Sequence, residues 1–475
     1  MNNSKPSPDM SLAEFSEWGH RFVDWIADYL SHPERYPVLS QVEPGSIRSQ
    51  LPGNPPQKPE PMEAMLRDIE RIIVPGLTHW NHPAFFAYFA VTGSGPGILG
   101  ELLSAAFNVN GMLWRTSPSF TELEELVLDW LRQMLGLSPE FKGVVYDTAS
   151  TSTFHAIAAA RQAITERDVS ELGIAGPGAP RLRIYTSNQA HSSVDKTAMA
   201  LGLGRRGVAK IDVDSQFRMN PAALEAAIKK DLSEGWRPFC VSATIGTTST
   251  TSIDPIPQIA EICERHKLWL HVDAAYAGAA AILPEMRSIL DGCDRADSFV
   301  MNPHKWLFTP IDFSAFYCRR PEILKQAFSL TPLEILASDA ANVTNYMDYG
   351  IQLGRRFRSI KFWMVVRYFG VEGLQARIRE HIRLGRLFAS WVEADSKFEL
   401  AAPVPFSTVC FRLKSDDSAN QRLIDRVNSS GRVFISHTRL HDRLTLRFTV
   451  GNLRSTEDHV RMAWEVIQES VEAKK

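Results

Sequence analysis

Between residues 143 and 318 the chain alternates short apolar, β-leaning runs with stretches of helical pattern. This rhythm restricts the possible folds more than any other feature. The runs are Gly143–Tyr146, Leu182–Thr186, Phe239–Ala243, Trp269–Val272, Ser298–Met301 and Ser314–Cys318. Helical patterns occupy several of the gaps: Phe154–Thr165, Ser192–Leu201, Pro221–Leu232 and Ile256–His266. Strands separated by helices of this length predict an α/β fold, a mostly parallel sheet covered on both faces. Ligands of such sheets sit beyond the carboxyl ends of the strands, so the residues just after each run carry the most information.

The flanks differ from this middle. Ser11, with Glu14 three residues on, reads as a capping box opening a helix. Phe15, Trp18, Phe22, Ile26, Tyr29 and Leu30 then form an apolar stripe that must cover either the chain's own core or a second subunit. Residues 42–61 are rich in Pro and Gly and read as a linker, with a helix from Met62 to Ile73 after it. Beyond Gly354 a long helical stretch runs through Trp363 and Tyr368 towards Trp391. Strands Ser407–Leu413 and Leu444–Thr449 and a helix capped by Ser455 and Asp458 follow, a mixture expected of a small α+β domain. The division expected is therefore residues 1–83 as an N-terminal helical segment packing on a dimer partner, 84–370 as the large α/β domain, and 371–475 as the small C-terminal α+β domain.

With 52 Lys and Arg against 54 Asp and Glu, the net charge is −2. That balance argues against nucleic acid or an anionic membrane as partner, since both call for a basic surplus. No apolar run approaches the roughly 20 residues that span a bilayer, and the first ten residues lack the order of a secretory signal. Cys240, Cys263, Cys293, Cys318 and Cys410 show no paired spacing. They are expected as buried, reduced thiols of a cytoplasmic protein. His437 and His441, four apart, have no acid in a helical metal motif, and no metal site is expected.

The strand ends carry the chemistry. Asp147-Thr148-Ala149-Ser150-Thr151-Ser152 opens a helix with small hydroxyl residues, a phosphate cradle if its amides are exposed; taken alone it is also an ordinary helix cap. His191 stands in the loop after Thr186, and Thr247 in a small polar loop after Ala243. Asp273 closes the apolar run Leu268-Trp269-Leu270-His271-Val272, and Lys305 lies in Asn302-Pro303-His304-Lys305-Trp306. A buried acid and a buried lysine each call for a partner. Pyridoxal phosphate would explain both: its aldehyde condenses with a lysine amine, a carboxylate keeps its ring nitrogen protonated, an imidazole can cover its ring, and amides and hydroxyls take its phosphate.

The segments 271–278, His-Val-Asp-Ala-Ala-Tyr-Ala-Gly, and 302–306, Asn-Pro-His-Lys-Trp, resemble signatures of the group II pyridoxal-phosphate decarboxylases, in the aromatic-L-amino-acid decarboxylase branch. Thr78-His79-Trp80, Phe85-Phe86-Ala87-Tyr88-Phe89, Gln189-Ala190-His191-Ser192-Ser193, Leu353-Gly354-Arg355-Arg356-Phe357-Arg358-Ser359 and Leu446-Arg447-Phe448 extend the likeness over nearly the whole chain. The resemblance implies a fold-type I homodimer with active sites at the subunit interface. It implies Lys305 as the lysine bonded to the cofactor, Asp273 as partner of the ring nitrogen, and His191 and Ala275 on the two ring faces. Ala149, Ser150 and His304 would hold the phosphate, and Thr247 would lie near the ring substituents. Lys305, His191 and Asp273 are the catalytic residues it implies. The substrate pocket would comprise Trp80, Tyr88 and Val91 with Gly354, and Asn110 and Met112 from the partner. Its small Gly354 suits a bulky aromatic ring.

The chain departs from the family where a loop tyrosine is expected as proton donor: Leu330-Thr331-Pro332-Leu333-Glu334 places Glu334 at or beside that position. The expected reaction converts an aromatic L-amino acid to its amine and CO2. An oxidative outcome giving an aldehyde, or decarboxylation of a non-aromatic amino acid, is the alternative.

Overall fold

The computed structural model describes residues 9–164, 169–329 and 343–472. Glu334 falls outside them. Seven strands form the main sheet: β1 (Lys142–Tyr146), β2 (Leu182–Ser187), β3 (Val208–Ile211), β4 (Arg237–Thr244), β5 (Trp269–Asp273), β6 (Ser298–Met301) and β7 (Ser314–Cys318). Their order is β1-β7-β6-β5-β4-β2-β3. Only β7 runs against the others, pairing antiparallel with both β1 and β6. The mostly parallel sheet expected from the alternation is therefore present.

Strand periodicity divides neighbouring residues between two cores. Val145, Tyr185, Val241 and Leu270 pack into one with Ile259, Phe299 and Trp306. Val144, Ile184, Cys240 and Trp269 pack into the other with Ile157, Ala160 and Phe316. Burial on both faces is why these runs are apolar throughout. The helices Ala149–Ile164, Ser193–Ala200, Pro221–Ser233 and Ile256–His266 follow the strands as expected.

A second, antiparallel sheet has the order β10-β11-β9-β8, from β8 (Phe398–Leu400), β9 (Thr408–Leu413), β10 (Ser436–Leu440) and β11 (Arg443–Thr449). Its core joins Phe388, Phe411, Phe448, Val460 and Ile467 to Ala84, Phe85, Phe86 and Ala87. Phe86 N donates to Phe434 O at 2.9 Å, and Thr449 N to Phe86 O at 2.9 Å. Segment 84–89 is thus threaded between the small sheet and the large one, which fixes Tyr88 and Phe89 beside the strand ends. The helix Ser359–Ala394 links the two sheets and breaks at Gly370, whose φ of 64° lies in the left-handed region open to glycine.

The first helix is Leu12–Ser31, capped by Ser11, whose hydroxyl accepts from Glu14 N. None of its residues is fully buried: Phe15 is exposed, whereas Trp18, Phe22, Ile26, Tyr29 and Leu30 are partly covered, Tyr29 by Tyr36 and His79 of its own chain.

Candidate active site

Every parallel strand points its carboxyl end to the same side, and there the sequence-predicted residues gather. Asp273 is the last residue of β5, opposite Val300 of β6. Two bonds stitch the following loops together: Ala274 N donates to Val300 O at 3.0 Å, and Asn302 N to Ala275 O at 3.0 Å. The turn closed by Lys305 N on Asn302 O, at 2.9 Å, then carries Lys305 into reach of Asp273.

Lys305 is held below its usual amine pKa by burial first, and Arg447 acts in the same direction, while the Asp273 charge partly restores it. Among the described residues its ammonium group makes no hydrogen bond or ion pair; it lies 5.3 Å from the centre of the Phe89 ring. That ring carries Arg447 at 4.6 Å as well. Phe89 is itself stacked on Tyr276 at 3.9 Å, and Tyr276 on Trp306 at 4.7 Å, so three rings form a rigid support beside the lysine. Asp273 is almost fully buried, and the one hydrogen bond to its carboxylate among the described residues is Ala275 N to Oδ1 at 3.0 Å.

His191 faces both charges. Burial lowers its pKa and Lys305 lowers it further, whereas Asp273 raises it. Ser193 N donates to its Nδ1 at 3.1 Å, which leaves the proton of the neutral ring on Nε2. Ala149 and Ser150 form the first turn of the helix Ala149–Ile164, where backbone amides lack intrahelical acceptors. Ser150 is exposed. His304 is buried, its pKa pushed down to about 3 chiefly by burial and next by Lys305. Its Nδ1 accepts from Phe313 N at 2.9 Å, so Nε2 is the nitrogen left for a ligand. Thr247 is fully buried and internally satisfied: Oγ1 accepts Ser252 N at 3.0 Å and meets Thr250 Oγ1 at 3.0 Å. Its hydroxyl closes its own loop.

Trp80 and Tyr88 stack at 5.8 Å and remain partly exposed. Tyr88 also donates its backbone N to Ser436 Oγ and accepts Arg447 Nη1 on its carbonyl, at 3.1 and 2.9 Å. Val91 is half-buried, three residues further on. Asn110, Met112 and Gly354 form a different group. Arg355 N donates to Asn110 Oδ1 at 3.0 Å, Met347 N to Met112 O at 3.1 Å, and a Cβ on Gly354 would sit 3.8 Å from Asn110. Among the described residues no hydrogen bond or ion pair joins this group to Lys305, Asp273 or His191 of the same chain.

Two features of the site escape sequence reasoning. Arg447 is 4% exposed, donates Nε to Ser249 O at 2.8 Å, and has no partner for Nη2. Asn302 Oδ1 is likewise buried without a partner. Only the motif Leu446-Arg447-Phe448 marked the first, with no role attached. His437 lies on β10 and His441 in the turn after it, packed on Phe217 at 4.9 Å. Among the described residues no group of three or more His, Cys, Asp or Glu is placed to hold a metal ion.

A half-buried amine without an acceptor, a carboxylate acting on it, an imidazole facing both and a helix start on the same side are the donor set pyridoxal phosphate requires. The residues fit the group.

Comparison with known proteins agrees. Residues 44–414 match the family model of the pyridoxal-dependent decarboxylase conserved domain. Tryptophan decarboxylase 2 of Oryza sativa subsp. japonica is 42% identical over 478 residues, covering 97% of this chain and 95% of the relative. Phenylacetaldehyde synthase of Arabidopsis thaliana is 41% identical over 477 residues, covering 97% and 96%. The crystal structure of Oryza sativa TDC with PLP and tryptamine superposes with a TM-score of 0.94 at 36% identity, covering 98% of this chain and 99% of that one. The chain belongs to the pyridoxal-dependent decarboxylase family, in its aromatic amino acid branch, and its cofactor is pyridoxal 5'-phosphate.

Proposed function

We propose that the enzyme removes the α-carboxylate of an aromatic L-amino acid, tryptophan before others, and releases the amine and CO2. The observation that carries this reading is the meeting of Lys305 and Arg447 on the ring of Phe89, with the Asp273 charge acting on Lys305 and Arg447 Nη2 left unpartnered. Pyridoxal phosphate, when bound, supplies the aldehyde that captures the substrate amine and the ring that accepts the electron pair left on Cα. Lys305 would hold it covalently and Asp273 would keep its ring nitrogen protonated. His191 and Ala275 would flank the ring, with Thr247 near its substituents. Ala149, Ser150 and His304 would take the phosphate.

The chain's own groups divide the remaining work. A lysine with a lowered pKa gives up its proton more readily, which suits Lys305 to exchange bonds with an incoming amine. Arg447 Nη2 is a free donor for the substrate carboxylate and orients it in the ground state. Phe89 and the stack beneath it exclude water from that carboxylate, which favours its loss as neutral CO2. His191 Nε2–H and Lys305 would be the groups able to carry a proton to the substrate Cα. Trp80 and Tyr88 offer flat faces to an aromatic side chain. The tryptamine in the rice structure supports an indole substrate.

A second copy of the chain completes the site in this reading. The half-buried stripe of the first helix, with Phe15 exposed, and the exposed Leu99, Leu102, Leu103 and Phe107 of the helix Gly95–Phe107 are apolar surfaces that call for a partner. Asn110, Met112 and Gly354 then serve the partner's pocket. The five buried, unpaired cysteines support a reducing compartment, the cytoplasm.

The test is incubation of the holoenzyme with each aromatic L-amino acid, measuring CO2, amine, aldehyde and peroxide together. Amine and CO2 in equal amounts support the proposal. Aldehyde with ammonia and peroxide would assign the oxidative activity instead, an alternative supported by Glu334 at or beside the expected tyrosine position and by a phenylacetaldehyde synthase among the relatives. Turnover of non-aromatic amino acids alone would refute the substrate class.

A further inference from the structure

Glu124 and Arg355 form an ion pair that the chemistry above does not use. Their side chains are 1% and 6% exposed, and Arg355 Nη2 donates to Glu124 Oε1 at 2.6 Å. Together they satisfy both polar groups of one β1 residue: Val145 N donates to Glu124 Oε1 at 2.9 Å, and Val145 O accepts Arg355 Nη2 at 2.9 Å. β1 is the edge strand of the large sheet, so the pair stands where a further strand would otherwise bond. The guanidinium lies 4.3 Å from the Tyr346 ring centre and 5.6 Å from that of Phe120. The backbone of the same residue faces the substrate wall: its N donates to Asn110 Oδ1 at 3.0 Å, and its O accepts Gly111 N at 3.0 Å.

An apolar pair of similar volume would serve stability as well as a buried ion pair, because desolvating two charges is costly. What an apolar pair cannot do is fix direction. Held through its head by Glu124 and Val145 and through its backbone by Asn110 and Gly111, Arg355 ties the 110–112 and 346–354 segments to the sheet at one defined distance.

We propose that Arg355, oriented by Glu124, is a positioning residue that sets the Asn110–Gly354 wall, and that it acts on the partner subunit's active site, not its own. This rests on the reading that Asn110, Met112 and Gly354 complete the partner's pocket. The competing route is within one chain: β1 ends at Tyr146, three residues before Ala149, so Arg355 could instead act through β1 on its own phosphate-binding turn.

Mixed dimers separate the two. Lys305→Ala and Arg355→Met chains carrying different tags are co-expressed and the heterodimer purified. It holds one site with an intact Lys305 and an intact wall, and one site lacking both. The Arg355→Met homodimer should lose about a hundredfold in kcat/KM for the aromatic substrate, the effect of a wall displaced by about 1 Å, with cofactor affinity unchanged. The heterodimer should regain the wild-type KM and half the wild-type kcat. A heterodimer as impaired as the Arg355→Met homodimer would overturn the proposal, as would a homodimer with wild-type kcat/KM or one whose only defect is cofactor binding. Should Arg355→Met fail to fold, Arg355→Lys and Glu124→Gln chains enter the same comparison. A parallel Lys305→Ala with Asn110→Ala heterodimer checks the shared pocket itself. Its failure to recover defeats that reading, whereas its recovery beside an unrecovered Arg355 heterodimer defeats only the Arg355 proposal.

Discussion

Asp273 and Lys305 are each out of place if considered alone, an acid ending a buried strand and an amine beside Trp306. Side by side they are complementary, and the pKa of Lys305 records both influences, lowered by burial and raised by Asp273. Replacing the acid tests this directly. Asp273→Asn should lower the pKa of Lys305 further, moving the reaction of the apoenzyme amine with an acylating reagent to lower pH. It should also reduce kcat/KM by roughly a hundredfold through lost electrostatic stabilisation. An unchanged titration would remove Asp273 from the site. Both residues were legible in the sequence because a charge in an apolar run is conspicuous. Arg447 was not: its meaning depends on folding back onto Phe89 from the far end of the chain, and no local pattern encodes that contact. Thr247 is legible only through the family resemblance, which implies a place near the ring substituents; its hydroxyl is engaged with Ser252 and Thr250.

At the level of elements, the six short apolar runs all became strands because burial on both faces demands apolar sequence. The elements that escaped notice are those with weaker demands. β8 has three residues, β3 has four with only Ile211 buried, and β10 alternates Ser436, His437, Thr438, Arg439 and Leu440 across a half-exposed edge. The helix Gly95–Phe107 begins Gly-Pro-Gly and exposes Leu99, Leu102, Leu103 and Phe107, so its apolar stripe does not point at the core of its own chain. The helix expected from Met62 to Ile73 is α-helical to Asp68 and continues as a wider turn over Ile69–Ile73. Segment 84–89 was quoted for its motif, but its role as the strip between two sheets depends on pairing with Phe434 and Thr449, contacts set by tertiary structure.

Across the whole molecule, buried histidines set the response to acid. Burial, the leading cause in each case, pushes His82, His155, His271 and His381 down to about 4 and His304 to about 3, from the usual 6.5. Below pH 6.5 the unfolded chain binds protons that the folded one refuses, so stability falls as pH drops, until the folded pKa values are passed. Asp254 works the other way: burial raises it from 3.8 to about 6, so over that interval the folded chain keeps a proton the unfolded chain loses. Burial raises Asp297 as well; five groups outweigh two. Thermal unfolding of the apoenzyme should therefore show a midpoint falling steeply from pH 6.5 to 4. A midpoint that is flat or rising over that range would contradict the burial of these rings.

The same burial lowers two lysines from the usual amine range, Lys305 and Lys361, the latter to about 8 mainly by desolvation. Either amine is chemically able to take up an aldehyde, but only Lys305 stands beside Asp273 and His191. Borohydride reduction of the holoenzyme, followed by proteolysis and mass mapping, distinguishes them. A pyridoxyl group on Lys305 alone is expected; its presence on Lys361 or another amine, with Lys305 unmodified, would contradict the assignment of the site.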